Sequence, residues 1–187
     1  MKKDLQFQDE EILLLFHRGK YNKAMKIIMN KYGNDIYGFI LMLTKNKDDA
    51  NDISQETFIK AFKNLGKFRG DSELRTWLIS IAKNTTYSFL KSKNYYISQE
   101  DHELNDNTFK KLEGQNITTN QINILNHVSS LSLTLKTPIV MYFYTNCSYD
   151  EISKIMNVSI NTIKAQIRRA KIELSNIYKN EGIENEL

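Results

Sequence analysis

Residues 64–72, which read Asn-Leu-Gly-Lys-Phe-Arg-Gly-Asp-Ser, place one cation on each side of an aromatic residue. Phe68 can offer its ring face to an unstacked base, while Lys67 and Arg69 can contact the neighbouring phosphates. This spacing predicts a platform for single-stranded nucleic acid. The alternative is an ordinary turn between two helices, in which the aromatic side chain fills the core.

A second group of polar and basic residues falls on the outer side of a helix predicted to start near Ile160. Asn161 and Thr162 can hydrogen-bond to base edges, and Ala165 is small enough to approach a thymine methyl group. The cations that follow suit phosphates. The residues on this side are Asn161, Thr162, Lys164, Ala165, Arg168, Arg169 and Lys171. The pattern favours a helix that enters the major groove of DNA, and the alternative is a solvated basic face.

A helix-turn-helix is predicted to position this second group. Ser148-Tyr149-Asp150-Glu151 has the Ser-x-x-Glu form of a capping box, so a helix should begin at about Tyr149. Asn157-Val158-Ser159 then supplies a residue that tolerates the left-handed conformation, an apolar residue for the angle between the helices, and a cap for the second helix. Upstream, Thr137-Pro138 is typical of the start of a supporting helix.

Two further helices are predicted on either side of the aromatic loop. Apolar residues recur at helical spacing from Leu74, with Asp71 or Ser72 as the expected N-cap. Trp77 falls on that apolar stripe, so it is a candidate for the core as well as for DNA contact. An earlier helix follows the acidic run that begins at Asp48, because acidic side chains suit the positive end of a helix dipole.

Composition restricts the fold class. Gly and Pro together contribute only 8 of 187 residues, about a third of their usual share, and no Asn-Gly or Asp-Gly hairpin signal occurs. We therefore predict an all-helical protein. With Cys147 as the single cysteine and three scattered histidines, the sequence excludes an internal disulfide and offers no Cys/His metal site. We expect a reducing compartment, no metal and no cofactor.

The balance of charge divides the chain into three segments. Residues 1–94 carry 17 basic against 11 acidic side chains, residues 95–125 carry 2 against 5, and residues 126–187 carry 7 against 6. The middle segment is also rich in Asn, Gln, Ser and Thr and lacks clear apolar periodicity. We predict two small helical domains, residues 1–94 and 126–187, joined by an acidic flexible linker at residues 95–125.

Neither a membrane segment nor a nucleotide-binding loop is apparent. The longest apolar stretch, residues 36–43, is far shorter than the ~20 residues that span a bilayer. No apolar segment follows the basic residues at the start of the chain. We expect a cytoplasmic protein with no direct membrane insertion.

Three motifs in chain order, at residues 48–58, 67–70 and 75–84, resemble region 2 of the extracytoplasmic-function sigma factors. Residues 148–171, which hold the predicted helix-turn-helix, are similar to region 4 of the same family. The resemblance covers roughly residues 32–91 and 131–178.

This resemblance implies three binding surfaces and two protein partners. Bacterial core RNA polymerase would bind Asp48, Asp52, Gln55 and Glu56. The −10 promoter element would contact Asn64, Lys67, Phe68, Arg69, Arg75, Trp77, Lys83 and Asn84, with a flipped base captured by the loop. The −35 element would contact Ser159, Asn161, Thr162, Lys164, Ala165, Arg168, Arg169 and Lys171. An anti-sigma factor is the second partner that the resemblance implies.

The leading hypothesis is an alternative sigma factor that binds core polymerase, recognises promoters, melts the −10 element and initiates transcription. The resemblance implies that melting needs no ATP, and the sequence shows no phosphate-binding Gly-rich loop, so we expect no enzymatic activity of its own. The chief alternative is a helix-turn-helix repressor or activator that acts without being a polymerase subunit, with the first module serving dimerisation or sensing. A third possibility is that the first module is a helical adaptor for protein partners whose basic charge is incidental.

Overall fold

A computed structural model describes residues 2–93 and 127–180, and it describes the side chains of residues 9–93 and 127–177. All regular elements in these ranges are helical, which confirms the predicted fold class. The helices are α1 (Lys2–His17), α2 (Tyr21–Thr44), α3 (Lys47–Asn64), α4 (Leu74–Ser92), α5 (Leu133–Phe143), α6 (Tyr149–Met156) and α7 (Ile160–Asn180). Short 3₁₀ helices occupy Leu65–Lys67 and Val128–Ser130. The predicted linker, residues 95–125, lies outside the described residues.

The described residues group into two compact units. The first comprises the described residues 2–40 and 48–93, and the second comprises the described residues 41–47 and 127–180. Each unit buries apolar side chains from several helices, as the helical spacing of those side chains requires. The described helices include none that is long and apolar enough to cross a membrane.

In the first unit, α3 and α4 form as their sequence patterns predict. The first turn of α3 carries Asp48 and Asp49 and its last turn carries Lys63, so the charges at both ends suit the helix dipole. The predicted N-cap of α4 is wrong. Glu73 occupies that position, and its carbonyl accepts the first helical bond from the Trp77 backbone N–H at 3.1 Å.

Asp71 and Ser72 precede that cap because the chain is still in a bend when it passes them. The Ser72 hydroxyl donates to the Glu73 carbonyl at 3.3 Å and accepts no N–H of the first helical turn. The helix therefore starts without a side-chain cap, and its start is fixed by the burial of Leu74, which is 1% exposed.

In the second unit, the structure confirms the helix-turn-helix. Ser148 Oγ accepts the Glu151 backbone N–H at 3.3 Å, and Glu151 Oε2 accepts the Ser148 backbone N–H at 2.8 Å, completing the capping box at the start of α6. At its end, Asn157 adopts the left-handed conformation with φ 55° and ψ 47°. Bonds from Asn157 N to Lys154 O and from Val158 N to Ser153 O close a Schellman motif there.

Two local predictions in this unit are wrong. Val158 is 37% exposed and does not fill the angle between the helices. Pro138 does not start a helix, because α5 already begins at Leu133 with Ser132 as its N-cap. A proline inside a helix lacks the N–H that would bond to the carbonyl four residues earlier, here that of Thr134. Thr134 is exposed, so water can satisfy that carbonyl.

Candidate nucleic-acid and protein interfaces

An acidic and polar face runs along α3. Asp48, Asp52, Gln55 and Glu56 are all exposed. Asp52 follows Asp48 by four residues, and Gln55 and Glu56 follow Asp52 by three and four, which puts all of them on one side of the helix. On the opposite side, Ile53 is 1% exposed and lies in the core. The structure therefore brings together the four residues that the sequence predicts as a protein-binding surface.

This face is only lightly constrained by ion pairs. Glu56 Oε1 lies 2.7 Å from Lys60 Nζ, one helical turn away, and the two side chains are 52% and 42% exposed. Exposed pairs of this kind contribute little to stability, about 0.3–0.5 kcal/mol. Lys60 Nζ also donates to Thr85 Oγ1 at 3.3 Å, which links α3 to α4. Glu56 can therefore exchange Lys60 for a cation of another protein at a small cost in folding free energy.

The aromatic loop after α3 has features of both predictions, the platform for an unpaired base and the turn whose aromatic side chain packs inward. The Phe68 ring is partly exposed and packs against the Trp77 ring, with centroids 5.3 Å apart and an interplanar angle of 53°. Leu65 fills the core instead, at 1% exposure, while Lys67 and Arg69 are exposed on both sides of the ring. The ring thus keeps an accessible part in a basic setting, as stacking on an unpaired base requires.

The predicted residues of α4 divide into two groups. Trp77 and Asn84 are seven residues apart, so they share one face of the helix with the Phe68 ring beside it. Arg75 instead donates from Nε to Asp35 Oδ2 of α2 at 3.2 Å. The two side chains of that pair are only 25% and 26% exposed, so the Arg75 guanidinium is partly occupied by its intramolecular ion pair with Asp35. Asp35 could not be predicted from the sequence, because no spacing pattern links residues 40 positions apart.

Two other predicted residues have intramolecular contacts. Lys83 Nζ lies 4.7 Å from the centroid of the Tyr87 ring and donates to Asn84 Oδ1 at 3.3 Å. Burial lowers the pKa of the Lys83 ammonium. Asn64 donates its amide to the Lys60 carbonyl at 2.9 Å, which extends the hydrogen bonding of the last turn of α3. Asn64 and Asn84 remain exposed, so both amides are accessible to a ligand.

The predicted −35 residues all lie exposed on α7 or at its cap. Asn161, Ala165 and Arg168 share one stripe at spacings of four and three residues. Ser159 Oγ accepts the Thr162 backbone N–H at 3.0 Å and lies 2.8 Å from Thr162 Oγ1, so both hydroxyls take part in the N-cap. Ile163, Ile167, Ala170 and Leu174 are buried on the opposite side.

The four predicted cations on α7 differ in their surroundings. Arg169 Nε forms an exposed pair with Glu173 Oε1 at 3.3 Å. Lys171 Nζ lies 5.2 Å from the centroid of the Phe143 ring of α5. Lys164, Arg168 and Lys171 line one shallow groove together with Tyr149 at the start of α6. These three cations give the groove a positive charge.

Comparisons with known proteins relate both units to one group. The family models described as Sigma-70 region 2 and Sigma-70, region 4 match residues 28–95 and 122–174. The RNA polymerase sigma-H factor of Pseudomonas aeruginosa is 30% identical over 177 residues, covering 89% of this chain and 91% of the relative. The ECF RNA polymerase sigma-E factor of Haemophilus influenzae is 28% identical and covers 91% and 95%.

Two solved structures share the fold. The sigma factor RpoE of Bartonella quintana, in complex with the anti-sigma factor NepR, superposes with a TM-score of 0.66 at 22% identity, over 84% of this chain and 98% of the other. CnrH, in complex with the cytosolic domain of CnrY, gives a TM-score of 0.68 at 18% identity, over 92% and 98%.

Proposed function

The chain belongs to the extracytoplasmic-function group of sigma-70 factors, and from this membership we propose how its surfaces divide the work of transcription initiation. As an alternative sigma factor it joins bacterial core RNA polymerase and directs promoter recognition. The observation that carries this conclusion is the match to region 2 followed by region 4 in one chain. A helix-turn-helix regulator that acts outside the polymerase would need only the second of these.

We assign residues 1–94 to the −10 and polymerase-binding domain, residues 95–125 to the linker and residues 126–187 to the −35 domain. The assignment is supported by the matches to residues 28–95 and 122–174. The protein acts in the cytoplasm as a regulatory subunit without enzymatic activity of its own. An anti-sigma factor is its expected regulator, by analogy with the Bartonella quintana relative that was solved with NepR.

The first experiment reconstitutes transcription. Purified protein is mixed with bacterial core RNA polymerase that lacks any sigma subunit, and genomic fragments, including the region upstream of the coding sequence, serve as templates. We expect transcripts with defined start sites, preceded by a shared two-element promoter. Absence of a complex with polymerase, together with tight binding of the protein alone to duplex DNA, would favour the repressor or activator instead.

The acidic face of α3 is proposed as the polymerase-binding surface. The triple variant Asp52→Ala, Gln55→Ala, Glu56→Ala removes two carboxylates and one amide from exposed positions, so its folding should be nearly unaffected. We expect its affinity for core polymerase to fall by about tenfold or more, because truncating a hot-spot residue of an interface costs about 2 kcal/mol or more and the variant removes three residues of the proposed contact. Fluorescence anisotropy with labelled protein measures this affinity.

A matched control tests whether charge alone is responsible. The triple variant Glu10→Ala, Glu11→Ala, Asn30→Ala also removes two carboxylates and one amide from exposed positions of the same unit. It should bind polymerase as the unmodified protein does. Equal losses in the two triple variants, or full affinity in the α3 variant, would contradict the assignment of this face.

A further inference from the structure

Gly66 sits in the 3₁₀ helix of the aromatic loop, and its backbone does not require glycine. Among the described glycines only Gly19 and Gly70 have left-handed φ values. A Cβ atom placed on Gly66, however, would lie 3.2 Å from Phe16 Cε1, closer than the ~3.5–4.0 Å of a favourable carbon–carbon contact. Glycine at this position therefore permits close approach of the α1 ring to the loop backbone.

Phe16 is held in place by two other aromatic rings. It makes edge-to-face contacts with Tyr21 of α2, at 4.8 Å between centroids, and with Phe62 of α3, at 6.3 Å. Tyr21 and Phe62 also meet each other edge to face at 6.1 Å. Such pairs contribute about 0.5–1.5 kcal/mol beyond the burial of their area. The ring that touches Gly66 thus belongs to a cluster drawn from three helices.

A second attachment fixes α1 seven residues earlier, on the same face of the helix. Asp9 Oδ1 accepts the Tyr32 hydroxyl at 2.6 Å and forms an ion pair with Lys31 Nζ at 2.9 Å. The Lys31 and Asp9 side chains are only 13% and 19% exposed. Burial and the bond to Asp9 raise the pKa of Tyr32, so its hydroxyl keeps the proton it donates. Asp9 and Phe16 together define the position of α1 against α2 and the loop.

We propose that α1 is a brace for the nucleic-acid loop and that Phe16 is a positioning residue for −10 recognition. Through Gly66, Phe16 holds the 3₁₀ helix Leu65–Lys67 where the following Phe68 ring can receive a base. Phe16 itself contacts no DNA in this scheme. The inference rests on the proposed role of the loop, and α1 precedes residues 28–95, which match the region 2 family model.

The contact can be tested in the protein alone by a double-mutant cycle. Gly66→Ala adds the Cβ atom that meets the ring, and Phe16→Leu removes the Cε1 and Cζ atoms that it would meet. We expect Gly66→Ala to be less destabilising in the Phe16→Leu background than alone, which urea unfolding measures as a coupling energy. Gly33→Ala is the control, because a Cβ atom there meets nothing within 4 Å.

The consequence for DNA is tested with the polymerase complex. The probe is a promoter fragment on which reconstituted polymerase gives a defined transcript, and permanganate reactivity of −10 thymines reports strand opening. We expect Gly66→Ala and Phe16→Ala each to reduce opening about tenfold, less than the roughly hundredfold loss that a 1 Å misplacement can cause in an active site. Polymerase affinity should be unchanged, and Phe16→Leu should partly restore opening to Gly66→Ala.

The outcomes separate the two proposals. If the unmodified protein opens no promoter, the proposed function fails and the brace fails with it. If the unmodified protein opens promoters but Phe16→Ala, folded by circular dichroism, opens them equally well, only the brace is overturned. Absence of coupling between positions 16 and 66 in urea would also overturn the brace, because the ring would not then determine the position of the loop.

Discussion

Lys136 is a buried cation on α5, and removing its charge should stabilise the protein. The residue is 6% exposed, and no carboxylate among the described residues forms an ion pair with it. Burial, with a smaller contribution from Lys45, lowers the pKa of the Lys136 ammonium from 10.5 to about 8. The environment of Lys136 in the folded protein therefore disfavours the charged form of its side chain.

The size and sign of the effect follow from that pKa difference. From 10.5 to about 8, at 1.36 kcal/mol per pKa unit, the penalty for burying the charge is about 3 kcal/mol. Below about pH 8 both the folded and the unfolded chain carry the proton, so the whole penalty is present. Between about pH 8 and pH 10.5 only the folded chain loses the Lys136 proton. The free energy of unfolding therefore increases as the pH rises through this range.

Lys136→Met keeps the apolar stem and removes the charge. At about pH 7 we expect the variant to be more stable than the unmodified protein by up to about 3 kcal/mol, in the range seen when buried charges are replaced by apolar groups. The difference should shrink as the pH rises above about 8 and approach zero above about pH 10.5. Urea unfolding at a series of pH values measures the free energy of unfolding for both proteins.

Lys164→Met is the matched control, because Lys164 is exposed on α7 of the same unit. Its stability should follow that of the unmodified protein at every pH. If Lys136→Met gave no stabilisation near neutral pH, or a stabilisation that did not change with pH, the Lys136 charge would be solvated in the folded protein. The reasoning from burial would then be wrong.

Two further predictions concern the helix-turn-helix. Ser148→Ala removes the α6 capping box and should lower the free energy of unfolding of the second unit by about 1 kcal/mol, measured in urea. Ser132→Ala is the control and should cost less than about 0.5 kcal/mol, because the Ser132 side chain makes no cap bond. Equal costs for the two variants would contradict the role of the capping box. Arg168→Ala should weaken DNA binding on all sequences and reduce its salt dependence, whereas Asn161→Ala should relax discrimination at one or two −35 positions. Equal losses from both on matched and scrambled promoters would contradict that division.

Much of the second unit could be predicted because its signals are local. The capping box of Ser148 and Glu151 spans one helical turn, and the left-handed Asn157 satisfies the carbonyls of the helix that it ends. Neither feature depends on a distant residue. The predicted start of α5 at Pro138 is wrong because the local preference of proline for a first turn is overridden. Ser132 caps that helix six residues earlier, and burial of Leu135 and Ile139 then holds the proline within it.

The first unit shows what local patterns cannot supply. The sequence identifies Arg75 and Phe68 as candidate DNA contacts, but their surroundings come from Asp35 and Trp77, which reach them through the tertiary fold. Phe16 likewise touches Gly66 across 50 residues of chain. Contacts of this kind leave no periodic trace in a single sequence, so the sequence predicts which residues are available for binding and the structure shows how they are held.

The hydrogen bonds of α7 narrow the proposed −35 surface further. Ser159 and Thr162 already use their hydroxyls on each other and on the helix N-terminus, so a bond to a base would compete with the cap. Asn161 has an exposed amide beside them, and the exposed Ala165 and Arg168 continue its stripe along the helix. A helix that reads the major groove presents its N-terminal residues to base edges. We therefore propose that base discrimination on this surface rests first on Asn161, with Ala165 permitting close approach and Arg168 contacting the DNA backbone.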